Sequence, residues 1–253
     1  GTGKTRVLTD RTAYLIAERQ IAPDSILAVT FTNKAANEMR ERLVRQLKRL
    51  AITGEPHIST FHSFGHGILK AHPELANRRI PFSIIDEEDK RRILLSHLGI
   101  ERKKIKKVSS KISTVKQSGL SADQIPEKEL SHTFNGYEAF LSQGNMVDLD
   151  DLIYCPVRMF QDNPDLLSQY QAQYPVILVD EFQDINAVQY QLIRLLIAGD
   201  DADLLVVGDP HQAIYGFRGA DVRFIRSFLN DFPKAVTYRL TKSYRCSNHI
   251  LQA

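Results

Sequence analysis

The sequence predicts an α/β fold built on a mainly parallel sheet, with a largely helical segment inserted into it. Three observations carry that expectation. Short continuous apolar runs at residues 26–31, 176–179 and 204–207 read as strands buried on both faces. Helical patterns alternate with these runs at both ends of the chain. From about residue 72 to 172 the texture changes to charged helix with prolines and no apolar strand run.

In order along the chain, residues 5–19 read as a helix, with apolar pairs Val7/Leu8 and Leu15/Ile16 two turns apart. After the strand at 26–31 comes a helix whose inner stripe is Ala36, Met39, Leu43, Leu47 and Leu50, with charges between them. Residues 57–61 read as a strand and 64–70 as a helix. The strands at 176–179 and 204–207 are separated by an amphipathic helix carrying Leu192, Ile193, Leu195 and Leu196. Residues 235–240 read as a last strand. The expected organisation is therefore one sheet domain from 1–71 and 173–253, with 72–172 a mostly helical subdomain. No internal repeat is visible.

A length of 253 residues suits one large domain or two modest ones. With 43% hydrophobic and 25% charged residues the composition is that of a globular chain, which excludes a low-complexity or disordered class. No apolar run approaches the ~20 residues of a membrane span, and no signal peptide opens the chain. The two cysteines, Cys155 and Cys246, are far apart and follow no ligand spacing. They point to a reducing, cytoplasmic setting and away from a disulfide framework or an iron–sulfur cluster. Net charge is only +3, but residues 101–111 hold Arg102, Lys103, Lys104, Lys106, Lys107 and Lys111 against one acid, Glu101. Two readings of that run stand: a track for a nucleic-acid backbone, or a solvated helix face. The chain opens inside a motif and without a methionine, so it reads as a fragment.

That motif is Gly1-Thr2-Gly3-Lys4-Thr5, the second half of a P-loop, placed where a helix begins. Glycines let backbone N–H groups close around phosphate oxygens, and the helix N-terminus adds a favourable dipole. Lys4 would neutralise the β- and γ-phosphates of ATP, and the Thr5 hydroxyl would hold Mg²⁺. Taken alone, GTGKT reads equally as a turn before a helix. Residues 177–181, Ile-Leu-Val-Asp-Glu, decide between the two: an apolar strand ending in two acids is the Walker B pattern. Ligands gather at the carboxyl ends of parallel strands, where Asp180 would reach Mg²⁺ and Glu181 would orient or deprotonate the attacking water. The pair together predicts an NTPase.

Residues 180–184, Asp-Glu-Phe-Gln-Asp, are more specific and resemble the DEFQD box of superfamily 1A DNA helicases of the UvrD/Rep/PcrA-like family. Residues 28–36 (AVTFTNKAA), 59–64 (STFHSF), 207–220 (VGDPHQAIYGFRGA) and 240–246 (LTKSYRC) resemble that family's motifs Ia, Ib, III and IV, in the family's order. The resemblance runs end to end and is weakest in the middle. It implies a RecA-like P-loop domain, truncated at both ends, as the first motor domain of an ATP-dependent 3′–5′ helicase and single-stranded DNA translocase.

The resemblance implies further roles. Gln212 would sense the γ-phosphate and link it to the DNA site. Arg245 would stabilise charge on the γ-phosphate in the transition state. Arg6 and Tyr244 would flank the adenine and ribose. Single-stranded DNA, or its junction with duplex, would meet Phe31, Asn33, Thr60, His62, Tyr215 and Phe217. The family often carries Trp where Phe217 stands, and this chain has no Trp, so the stacking face is smaller. Phe31, at the end of a buried strand, is expected to be partly core, and Phe64 wholly so. His62 is as readily a structural histidine as a DNA contact. The acidic stretch 147–152 (VDLDDL) resembles one in relatives but needs no role beyond helix capping.

The implied process is DNA repair or replication restart. The motor of a helicase–nuclease complex, or a nucleotide-regulated DNA-binding module without unwinding activity, would share parts of this pattern. Lys4, Glu181 and Arg245 are all present, which counts against the last. Since relatives continue into a second RecA-like domain, this piece by itself is expected neither to unwind duplex nor to hydrolyse ATP at a useful rate.

Overall fold

The computed structural model describes residues 3–199, 203–213 and 220–241. By its internal contacts the chain divides into two compact units: residues 1–60, 170–185 and 197–253 in the first, residues 61–169 and 186–196 in the second.

The first unit is a parallel sheet flanked by helices. Helix α1 (Lys4–Ala17) leads to strand β1 (Ile26–Thr30), helix α2 (Asn33–Arg49) and strand β2 (His57–Thr60). Strands β5 (Val176–Val179) and β6 (Asp203–Val206) complete it, in the order β2-β1-β5-β6, and every described pair is parallel. Every residue of β1 and β5 is buried. Ile26, Ala28, Val176 and Leu178 pack with Leu8, Leu15 and Ile16 of α1 and Ala36, Met39, Leu43 and Leu47 of α2. The alternate residues Leu27, Val29, Ile177 and Val179 point to the other face and are equally buried. Two covered faces are why these strands read as unbroken apolar runs rather than alternating ones. The stripe expected on α2 stops a residue early, since Leu50 is its C-cap and is exposed.

The second unit is mostly helical. It holds α3 (Phe61–Ala71), strand β3 (Ser83–Ile85), α4 (Glu87–Ser96), α5 (Ile105–Gln117), α6 (Lys128–Gln143), strand β4 (Met146–Asp148), α7 (Asp151–Asp162) and α9 (Ala187–Leu196), while α8 (Pro164–Gln173) carries the chain back towards β5. Close packing of α3 on α7 relies on Gly65, where an added Cβ would overlap the Leu152 carbonyl oxygen.

Three expectations need correction. Helices α3 and α9 belong by contact to the helical unit, α9 packing on α5 and α7, although their sequence positions suggested the sheet domain of 1–71 and 173–253. The middle of the chain is not free of strands: β3 and β4 pair in parallel as a small second sheet. Three residues each, Ser-Ile-Ile and Met-Val-Asp, are too short to set a period-2 pattern apart from noise. Residues 235–240, expected as a strand, form none, and Val236 and Tyr238 are exposed. β-Branched and aromatic content raises strand propensity, but a strand exists only where a partner ladder is available.

The second unit also buries a cluster of charges. Lys116 is fully buried, with its ammonium 2.6 Å from Asp151, 2.7 Å from Glu138 and 3.0 Å from Asp148. Lys90, also buried, reaches Asp148 at 3.4 Å, Asp150 at 3.6 Å and the Ser113 hydroxyl at 2.8 Å. Asp148 and Asp151 do cap the backbone, each accepting the other's N–H at 2.9 Å. Capping is thus only part of what the acidic stretch does.

Candidate nucleotide site

The P-loop half and the Walker B acids meet at the carboxyl end of the sheet. Gly3 stands before α1 in a left-handed conformation (φ 90°), and an added Cβ there would find open space. From the first turn of α1, Lys4 Nζ donates to Glu181 Oε2 at 3.0 Å and to Gln212 Oε1 at 3.3 Å. Thr5 Oγ1 donates to Asp180 Oδ2 at 3.1 Å. Asp180 is the first residue after β5, its N–H bonded to Val29 O, and is 2% exposed.

Glu181 adopts φ 51°, ψ 44°, a left-handed conformation uncommon for a residue with a side chain. Its N–H donates to Asp180 Oδ1 at 3.0 Å, and the turn directs its carboxylate to Lys4. Burial, and then the neighbouring Glu181 carboxylate, push the Asp180 carboxyl above its ordinary range despite the Thr5 bond and Lys4. A hydroxyl and an acid held close, beside a second acid, suit a hard divalent cation, whose charge would remove that strain. The residues present therefore fit Mg²⁺ with a nucleotide, Thr5 and Asp180 being the ones to hold the ion.

Two residues that sequence reasoning passed over close the arrangement into a ring. Gln183, 1% exposed, donates from Nε2 to Glu181 Oε2 at 2.9 Å and to Asp184 Oδ2 at 2.8 Å, while its Oε1 accepts the Asp209 N–H at 2.9 Å. Asp209 caps the turn at 210–212 by accepting from His211 N at 3.0 Å, and its Oδ2 accepts from Gln212 Nε2 at 2.7 Å. Gln212 then accepts from Lys4. The signals were there, a Gln inside DEFQD and an Asp-Pro pair before a turn, but nothing in the order of residues says that they touch.

The remaining site residues divide. Arg6 is exposed and paired with Asp10 at 3.3 Å, beside a cleft of about 260 Å³ that Gln46, Arg42, Arg45 and Arg49 of α2 also line. It does not turn towards the Lys4 cluster. Phe31 is half-buried after β1, as expected, and Asn33 is exposed on the first turn of α2, whose cap is Thr32 (Oγ1 accepts Ala35 N at 3.1 Å). Thr60 is 7% exposed, on the same side of β2 as Ile58. His62 is exposed on the first turn of α3, and Phe64 is core. Gly1, Thr2, Tyr215, Phe217, Tyr244 and Arg245 lie outside the described residues. In the basic run, Lys103 and Lys104 pair with Glu101 at 2.9 Å each and Lys111 with Glu127 at 2.5 Å, so half of its cations already have acidic neighbours.

Comparison with known proteins places the chain in a family. A family model described as the UvrD/REP helicase N-terminal domain matches residues 1–233. The chain belongs to this family. It is 39% identical over 264 residues to DNA helicase II of Escherichia coli (strain K12), and 38% identical over 265 residues to the ATP-dependent DNA helicase PcrA of Staphylococcus aureus (strain Mu50). Each alignment covers 100% of this chain and 36% of the relative, so the chain spans about a third of the length of the relatives it matches. Among the described residues no helix is long and apolar enough to cross a membrane.

Proposed function

We propose that this chain is the nucleotide-binding motor domain of a 3′–5′ DNA helicase, one that hydrolyses ATP to move along single-stranded DNA in repair or replication restart. The observation that carries the reading is the convergence of Lys4, Thr5, Asp180, Glu181 and Gln212 at strand ends, from segments up to 208 positions apart in sequence. Family membership and relatives named as DNA helicases support the substrate class.

In this scheme Lys4 exchanges Glu181 for a phosphate oxygen of the incoming nucleotide, a more highly charged partner. Glu181 Oε2 is thereby released from the ammonium while Gln183 keeps it oriented. The freed carboxylate accepts a hydrogen bond from the attacking water and takes its proton as the new oxygen–phosphorus bond forms and the bond from the γ-phosphorus to the β–γ bridging oxygen breaks, ADP leaving with that oxygen. Gln212, which loses Lys4 at the same moment, reports the change to the turn it closes. Mg²⁺, which Thr5 and Asp180 would hold, would supply charge neutralisation to the phosphates.

DNA-stimulated ATPase of the full-length gene product tests the reading. Glu181→Gln should leave binding of a fluorescent ATP analogue within about threefold and lower turnover by roughly 10²–10⁴, the usual worth of a general base. Unchanged turnover in a folded variant would reject the role of Glu181, and absence of any DNA-stimulated turnover in the wild type would reject the proposal itself.

A further inference from the structure

We infer that Gln183 is a positioning residue that couples Glu181 to the Asp209–Gln212 turn, so that nucleotide occupancy is passed to the DNA-contacting loop. The inference rests on the proposed ATPase reading and adds a residue to it.

Gln183 is buried and every polar group of its amide is engaged: both Nε2 hydrogens go to carboxylates, of Glu181 and Asp184, and Oε1 takes the Asp209 N–H. The partners fix which way the amide faces, because a flipped amide would set Oε1 against two carboxylates and Nε2 against an N–H. The backbone is shaped to admit it. At Gly208 an added Cβ would stand 2.9 Å from Gln183 Oε1 and 2.7 Å from Ile225 Cδ1, so a side chain there would push the turn off the amide. Phe182 N donates to Val207 O at 3.0 Å, which ties the same two segments a second time.

The consequence follows from the ring. Lys4 and Gln183 both donate to Glu181 Oε2, and Lys4 and Asp209 both hold Gln212. When Lys4 leaves for a phosphate, Glu181 and Gln212 both lose a partner, and among the described residues Gln183 is the side chain that bonds both Glu181 and the Asp209 backbone. Any shift of Glu181 is therefore transmitted to the segment from Gly208 to Ala213, from which the chain runs directly to Tyr215 and Phe217. A residue that merely fills space would not need a donor at one end and an acceptor at the other.

The test compares wild type with Gln183→Met, which keeps length and volume and removes all three hydrogen bonds, in the full-length gene product. Anisotropy of a labelled oligo(dT) is measured without nucleotide and with a non-hydrolysable ATP analogue and Mg²⁺. A coupled protein shows different DNA affinities in the two states, by reciprocity of linkage. In Q183M this ratio should collapse towards one, and kcat should fall roughly 10–100-fold, as for other groups that orient a ligand from behind. KM for ATP and nucleotide-free DNA affinity should stay within about threefold.

A folded Q183M with wild-type kcat and an unchanged ratio overturns the inference. So does one that loses nucleotide binding together with turnover, which marks a packing role. If Q183M does not fold, Gln183→Glu replaces it: the acceptor for Asp209 remains, and a carboxylate oxygen now faces Glu181 and Asp184. The same kcat loss supports the inference, and wild-type kcat rejects it. A wild type without ATP turnover would instead sink the proposed function, so the two failures are distinguishable.

Discussion

Replacing Lys116 with methionine removes one charge from a site with no access to water and should cost far more than a surface ion pair. The side chain is 0% exposed, its ammonium touches Asp151, Asp148 and Glu138, and it lies 5.1 Å from the Tyr137 ring centre. Glu138 contributes as a charge rather than through a well-angled hydrogen bond, its Oε1 having no hydrogen-bond partner. Methionine matches the stem, so packing is nearly kept. What changes is that Asp148, Asp151 and Glu138 are left with Lys90, which reaches only Asp148 among them. Removing one partner of a buried pair typically costs ~3–5 kcal/mol, whereas an exposed pair is worth under ~1 kcal/mol. For a unit of this size that is a fall in melting temperature of roughly 12–20 °C.

The pH dependence of that loss has a definite sign. In the wild type, burial works to raise Asp148, but Lys116 and then Lys90 overcome it and hold its carboxyl well below the usual range. Burial, and then Asp148 and Glu138, push Asp151 up against the pull of Lys116. Without Lys116, which lowers both, the Asp148 and Asp151 carboxyls move upward in the folded state. A raised folded pKa means stability is retained at low pH and lost as pH rises, so the variant's deficit should be larger at pH 8 than at pH 5. Urea unfolding followed by far-ultraviolet circular dichroism at both pH values measures it. Pairing Lys116→Met with Asp151→Leu should recover part of the loss, because it removes a charge stranded by the first change. A deficit under ~1 kcal/mol, or one independent of pH, would show that water or rearrangement relieves the cluster and that the reasoning from burial is wrong.

Two further outcomes are expected. Gly65→Ala should destabilise the helical unit by ~1–3 kcal/mol or more through the clash with the Leu152 carbonyl, while Gly67→Ala on the same helix meets nothing within 4 Å and should be neutral or stabilising by up to ~1 kcal/mol; equal melting temperatures for the two would contradict the packing of α3 on α7. In the full-length gene product, Phe217→Ala should weaken single-strand affinity by ~1–3 kcal/mol, the worth of one stacked base, with little effect on ATPase without DNA; lost folding with unchanged affinity would place the side chain in the core instead.

Much of the sheet was legible in the sequence, because β1 and β5 are buried on both faces and a local apolar run reports burial directly. The phosphate and Walker B residues were legible for a related reason: their chemistry demands particular side chains at short spacings, and Lys4, Thr5, Asp180 and Glu181 do meet. Contacts between distant segments left no such trace. Lys90 and Lys116 sit in helices whose pattern reads as ordinary amphipathic surface, and only tertiary packing turns them inward onto Asp148 and Asp151. Residues 235–240 have strand-like composition but pair with no strand among the described residues, whereas β3 and β4 have little signal in the sequence and do pair. Thr60 is buried because the pleat of β2 sets its side chain on the same side as Ile58's. Gln183 and Asp209 meet across 26 positions only because β5 and β6 are neighbours in the sheet. Periodicity and residue type determine which faces are buried and which chemistry is on offer; which groups touch is decided by pairings between segments far apart in sequence, whose free energy depends on the whole fold.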